Sequence, residues 1–200
     1  NALTAVSLAF PIQTLLIAVG VGTAVGINSL VSRRLGEKRQ DEADSAATHG
    51  ILLGVFNWVL FAVIGIFFSR LFFQSFTQNQ EVIAMGTQYM SIVCIVSFGV
   101  FIEINIEKTL QATGNMIYPM VSQLIGAITN IILDPIFIFG LFGVPKMGVA
   151  GAAIATVIGQ VFAMLFLIFI IVKKDHDIKI DFNNFKIDWG IVKNIYSVGF

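Results

Sequence analysis

The sequence predicts an all-α fold, a polytopic bundle of membrane-spanning helices. Three observations carry that prediction. Of the 200 residues, 56% are hydrophobic and only 12% charged, with a mean hydropathy of +0.87. A soluble domain carries about 25% charged residues, because polar groups must cover its outside. The apolar residues also fall into five runs, each long enough for the roughly 20 residues that cross a bilayer. Finally, the basic residues between those runs sort to one side.

The five spans follow in order. Residues 3–31 contain no charge and end at Arg33 and Arg34, with Pro11 expected to kink the helix. Residues 46–68 are again uncharged apart from His49 near their start. Residues 82–106 hold one carboxylate, Glu103, and residues 117–142 hold one, Asp134. Residues 149–172 are uncharged and open on GVAGAAIAT, where small residues let helix backbones approach closely in lipid. Gly22 and Gly26 form a G-x-x-x-G of the same kind in the first span. The connections are short, so sequential helices pack antiparallel as neighbours. Residues 173–200 mix Lys, Asp and Asn with Ile, Phe and Trp and are too polar to span. They read as a cytoplasmic linker with interfacial, amphipathic character.

Charge orients the bundle. Arg33, Arg34, Lys38, Arg39, Lys108, Lys173, Lys174, Lys179, Lys186 and Lys193 fall on one side, and only Arg70 and Lys146 on the other. Basic residues favour the cytoplasm. Loops 32–45, 107–116 and 173–200 are therefore cytoplasmic, and the first span runs from outside to inside. The chain opens at Asn1 without a basic n-region or cleavage site, and reads as an internal fragment of a longer protein.

Several function classes drop out. Zero net charge gives no basic bias toward nucleic acid. The single cysteine, Cys94, excludes an internal disulfide and a multi-cysteine metal site. G-x-S-x-G, H-E-x-x-H and C-x-x-C are all absent, so the chain is not expected to be an enzyme. GVGTAVG lies inside a membrane helix, with Val25 at the third glycine position, and is not a dinucleotide motif.

What remains is the carboxylates inside the spans. An ionised Asp at a bilayer centre costs about 2.5–3.5 kcal/mol on insertion scales, which makes Asp134 a functional candidate. Asn130, four residues earlier, shares its helix face. Pro135 cannot donate to the carbonyl of Ile131, so a loosened or kinked turn is expected beside the carboxylate, tolerable only where it faces a cavity. Thr156 supplies a hydroxyl one helix later. A carboxylate, an amide oxygen and a hydroxyl suit a small cation such as Na+, and a proton would neutralise the same carboxylate. Glu103 and Glu107, also four apart, together with Gln123, are candidates for lining the inner half of a cavity for a cationic substrate; a solvated or Lys108-paired helix end is the competing reading.

The segments EKTLQATGNMIYPM, NIILDPIFIFG and GVAGAAIATVIGQ, in this order and spacing, resemble the multidrug and toxic compound extrusion (MATE) family of bacteria. NALTAVSLAFPIQ and SRRLGEKRQDEADSA are similar to that family's second helix and the loop after it. The resemblance implies two six-helix lobes, of which this chain would supply helices two to six of the first and the linker toward the second. It also implies that Asn130, Asp134 and, less directly, Thr156 bind the coupling ion with an Asp on a first helix upstream of Asn1. The implied activity exchanges H+ or Na+ for bulky, mostly cationic organic compounds, without a cofactor. Two alternatives stand beside it. One is a lipid-linked sugar flippase of the same superfamily, disfavoured because no span carries a mid-helix Arg or Lys. The other is a non-transporting membrane scaffold subunit.

Overall fold

A computed structural model describes residues 2–173, 178–180 and 186–199. Its elements are α1 (Ala2–Gly36), α2 (Gln40–Phe67), α3 (Ser69–Phe76), α4 (Gln80–Ile95), α5 (Phe98–Ala112), α6 (Ile117–Phe139), a 3-10 turn (Leu141–Gly143), α7 (Val149–Lys173) and α8 (Trp189–Gly199). Four helices (α1, α2, α6 and α7) are long and apolar enough to cross a membrane, and α4 with α5 makes a fifth span bent by 42°. Among the described residues this gives four single-helix spans and, where the bent pair counts as one span, a fifth made of two helices rather than the one predicted.

The break at Val96–Ser97 has a local cause. The Ser97 hydroxyl donates to the Cys94 carbonyl at 2.7 Å, as a competing partner for the backbone. Its own N–H reaches Cys94 rather than completing the helical pattern. The helix resumes when Phe101 N–H bonds Ser97 O at 3.2 Å. The two prolines, in contrast, break nothing: α1 continues through Pro11 and α6 through Pro135. The predicted kinks there are thus not breaks in the helices, because a proline deletes one backbone bond while its neighbours keep theirs.

The core lies among α1, α2, α4 and α5. Leu16, Phe61, Phe73, Val93, Cys94 and Phe101 bury together, and the Phe61 and Phe101 rings sit 5.7 Å apart. α3 is a short helix missed by the span pattern. It buries Phe73 against Gly86 while Leu71 and Phe76 stay exposed, as suits the outer interface.

A second cluster closes the end of the bundle that carries the basic loops. Ile27, Val31, Ala43, Ala46 and Ala47 bury with Ile178 and Ile195 of the tail. The tail is thus no free linker in its described parts, and residues 174–177 and 181–185 of the predicted linker lie outside the described residues. The backbone of Ile195 rests on Gly26, and Gly199 rests on the carbonyl of Gly22. α8 therefore runs antiparallel up α1 on the predicted G-x-x-x-G, where any side chain would push it off. A buried polar ladder ties it to both helices. Tyr196 Oη–H donates to Asn57 Oδ1 (3.4 Å), Asn57 Nδ2 to Thr23 Oγ1 (3.0 Å), and Thr23 Oγ1–H to Val19 O (2.9 Å).

α6 and α7 form a tight antiparallel hairpin. Gly140 ends α6 at φ 74°, a left-handed conformation that favours glycine, and Met147 N–H returns to Phe137 O at 3.0 Å. Along the hairpin, a Cβ on Gly159 would stand 2.9 Å from the Gly126 carbonyl, and one on Gly151 2.6 Å from that of Phe137. The predicted small-residue face of α7 is thus its contact with α6. On its other side α6 is open: only Pro119 and Ser122 are buried, and Ile131 is 72% exposed.

Candidate functional site

The approach of Gly126 and Gly159 sets the site. From that point Asn130 lies one turn up α6 and Thr156 about one turn down α7, so an antiparallel pair brings the two side chains level. They line one cavity of about 240 Å³ together with Glu103, Gln123, Gly126, Ala127 and Gln160. Its lining holds one carboxylate and no basic residue.

Asp134 stands one turn beyond Asn130 toward the outer side, outside the cavity lining. With the Asn130 amide nitrogen turned toward it, the two carboxylate oxygens lie 3.2 and 3.3 Å away. In that orientation the Asn130 carbonyl oxygen points elsewhere and is free to accept. Pro135 leaves the Ile131 carbonyl beside the pair without its helical donor. Thr156 donates its proton to Ala152 O at 2.9 Å, so its oxygen keeps only accepting capacity. Asn130 thus bonds Asp134 on one side and shares the cavity lining with Thr156 on the other, while Asp134 itself lies outside that lining. Among the described residues, no three His, Cys, Asp or Glu side chains converge. A transition-metal site therefore lacks ligands here, whereas a cation held by amide, hydroxyl, carboxylate and backbone oxygens would not need that set.

The two α5 carboxylates separate. Glu103 lines the cavity, and the Ser122 hydroxyl lies 3.2 Å from its Oε1 and 3.3 Å from Ala163 O. Its single proton serves one of them at a time. Glu107 is 6% exposed and does not line the cavity. It accepts from Gln111 Nε2 at 2.8 Å and from Gln123 Nε2 at 3.1 and 3.2 Å, and Lys108 Nζ lies 3.8 Å away. Of the two readings of Glu107, this geometry matches the Lys108-paired helix end, buried rather than solvated. Its reach into the cavity is through Gln123, which it holds. Pattern reasoning missed Ser122 and Gln160. Ser122 had a legible signal: Ser122, Gly126, Asn130 and Asp134 recur every four residues, one continuous face of α6.

Comparison with known proteins decides the family. The MatE family model matches residues 1–136, more than half the chain. The chain belongs to the MatE family. Among curated MatE-like relatives, it is 28% identical over 181 residues to the probable multidrug resistance protein YoeA of Bacillus subtilis, covering 90% of this chain and 39% of YoeA. It is 26% identical over 197 residues to the multidrug export protein MepA of Staphylococcus aureus, covering 98% of this chain and 43% of MepA. The chain thus spans about two-fifths of the length of these relatives. Two solved structures of a multidrug resistance MATE transporter match equally well. The inward-facing form gives a TM-score of 0.91 and the outward-facing form 0.92, both at 30% identity. They cover 99% and 98% of this chain and 44% and 43% of theirs. This MatE chain therefore fits the corresponding part of that transporter in either state.

Proposed function

We propose that this MatE chain forms the first lobe of an ion-coupled multidrug antiporter in a bacterial plasma membrane. Inward flow of H+ or Na+ drives export of bulky, mostly cationic organic compounds by alternating access. Asp134 takes the ion; on binding, the Asn130 amide turns its oxygen toward the ion, and Thr156 adds a hydroxyl oxygen. The carboxylate of Glu103 and the amide of Gln123 face the substrate, and the buried Glu107 holds Gln123 in place.

One observation carries this reading. Asn130 touches Asp134 on one side and lines a cavity holding Glu103 and Thr156 on the other. A substrate in that cavity and an ion on Asp134 thus compete through one amide, which is the coupling an antiporter needs. The near-equal match to inward- and outward-facing transporters supports rocking of this lobe as one body against a second. The absence of basic residues from the cavity lining supports a cationic substrate over an anionic lipid-linked one.

The test is dye efflux by the full-length protein carrying Asp134→Asn. That substitution keeps the hydrogen-bonding shape and removes the titratable charge. Efflux should fall at least about fivefold, the smallest loss expected if ion binding supplies the usual 1–3 kcal/mol of coupling. Near-normal efflux would remove Asp134 from the mechanism.

A further inference from the structure

A second cavity, of about 350 Å³, lies at the opposite flank of the bundle, between α2 and the docked tail. Leu52, Leu53 and Phe56 of α2 form one wall, and Ile187, Trp189 and Val192 the other. His49 and Tyr196 also border it, but their polar atoms are turned away. His49 Nδ1 bonds Ser45 O at 2.8 Å, and its Nε2 accepts from Asp188 N–H at 2.9 Å. Tyr196 Oη–H is committed to Asn57. What faces the cavity is therefore hydrocarbon, and a hydrocarbon-walled space favours an apolar occupant over water.

Its position narrows the occupant. The charge pattern places the start of α2 and of α8 at the cytoplasmic surface, and the cavity follows Leu52, Leu53 and Phe56 about two to three turns into the predicted span. Phe56, Ile187 and Trp189 at its edge are 61%, 63% and 76% exposed, so it opens sideways to the inner leaflet. Aromatic side chains at that depth mark the headgroup boundary. Lys186 and Lys193 are both exposed on the segment that forms the tail wall. Asp188 stands between them in sequence, but its Oδ1 accepts from Gly190 N–H at 2.7 Å at the start of α8. An apolar slot with exposed edge residues thus lies beside a segment that carries two exposed lysines.

We propose that this slot binds one acyl chain of an anionic phospholipid of the inner leaflet, whose headgroup rests on Lys186 and Lys193. Because the tail forms half of the slot, the bound lipid also holds the tail against α2. This site is separate from the α6–α7 cavity and does not depend on the transport reading.

The test uses the full-length protein in phosphatidylcholine vesicles containing a minor fraction of photoreactive lipid, with the reactive group on the acyl chain. The probe is either phosphatidylglycerol or phosphatidylcholine, and cross-linked residues are mapped by mass spectrometry. Phosphatidylglycerol should label Leu52, Leu53 or Val192 at least about fivefold more than phosphatidylcholine, the contribution of a single juxtamembrane lysine. The double variant Lys186→Gln/Lys193→Gln should bring that ratio close to one. Val192→Phe, which fills the slot, should abolish labelling there while leaving labelling of Ile66, on the bilayer-facing part of α2, intact. Because Val192→Phe could displace the tail, Leu53→Phe fills the slot from the other wall and should act alike. Equal labelling by the two lipids would mean ordinary boundary lipid and overturn the proposal. So would labelling that both filling variants leave unchanged. Absence of labelling in the parent protein would mean that another part of the full-length chain covers the slot, and would overturn it too.

Discussion

Two of the polar groups inside this membrane bundle behave oppositely. The ladder Tyr196–Asn57–Thr23 passes each proton to the next oxygen and ends on a backbone carbonyl. Asn57 and Thr23 are 2% and 0% exposed. On α6, Asn130 and Asp134 bond each other but retain free oxygens that face a cavity or an opened helical turn. The first group is bonded through to a backbone carbonyl and holds α8 on α1 and α2; the second keeps accepting oxygens, the capacity that the proposed ion site needs. A polar residue in a membrane helix is thus a functional marker chiefly when its own protein leaves it capacity to bind.

The sharpest way to break this comparison is to disable the complete group. Asn57→Leu removes the bonds from Tyr196 to Asn57 and from Asn57 to Thr23 and should lower stability by about 1 kcal/mol, the range of interhelical hydrogen bonds in membranes. The melting temperature of the detergent-solubilised protein measures this. If Asn57→Leu left that temperature unchanged and Asp134→Asn lowered it, the roles would be reversed.

A smaller effect is expected from Glu103→Gln, because the cavity keeps its shape and the Ser122 hydroxyl keeps an acceptor. Efflux of a cationic dye should fall several-fold relative to a neutral compound of similar size, with no loss of thermal stability. A uniform fall for both compounds would assign Glu103 to packing instead.

The smallest effect should come from the first cytoplasmic loop, which is neither ladder nor cavity. Glu37 is bonded by Arg34 at 2.7 Å and by Arg33 at 3.0 Å, and these bonds hold its carboxyl below the usual carboxylate range. With a lowered folded value, its contribution is present above the unfolded carboxylate range and is lost as pH falls through the folded value. Solvent screens an exposed cluster. Melting curves of the parent and Glu37→Gln should therefore nearly coincide at neutral pH and merge fully in acid; a large difference at neutral pH would make the loop a structural anchor.

Much of this was legible in the sequence. The uncharged runs ending in Arg33–Arg34 and in Lys173 located α1 and α7 because a hydrocarbon layer imposes a length. The i, i+4 spacing of Asn130 and Asp134 put both on one face because that is helix geometry. The break at Ser97 was not legible, since a serine's hydroxyl bonds either its own backbone or a neighbour and only the packed bundle decides. Glu103 and Glu107 look equivalent in sequence. They diverge because Gln111 and Gln123 reach one of them and not the other, a tertiary fact. The docking of α8 was half visible: Gly22 and Gly26 announced a close helix contact, but not that the polar-looking tail would supply the partner.

The account is tested most directly by carbodiimide labelling of carboxylates in the full-length protein, mapped by mass spectrometry. Asp134 should react, and should be protected by the coupling ion, either by Na+ at fixed pH or by a change of pH alone. Glu107, whose oxygens are occupied by Gln111 and Gln123, should stay unreactive throughout. Asp134 reacting at the same rate under every ionic condition, or Glu107 showing the ion-dependent protection instead, would contradict the assignment.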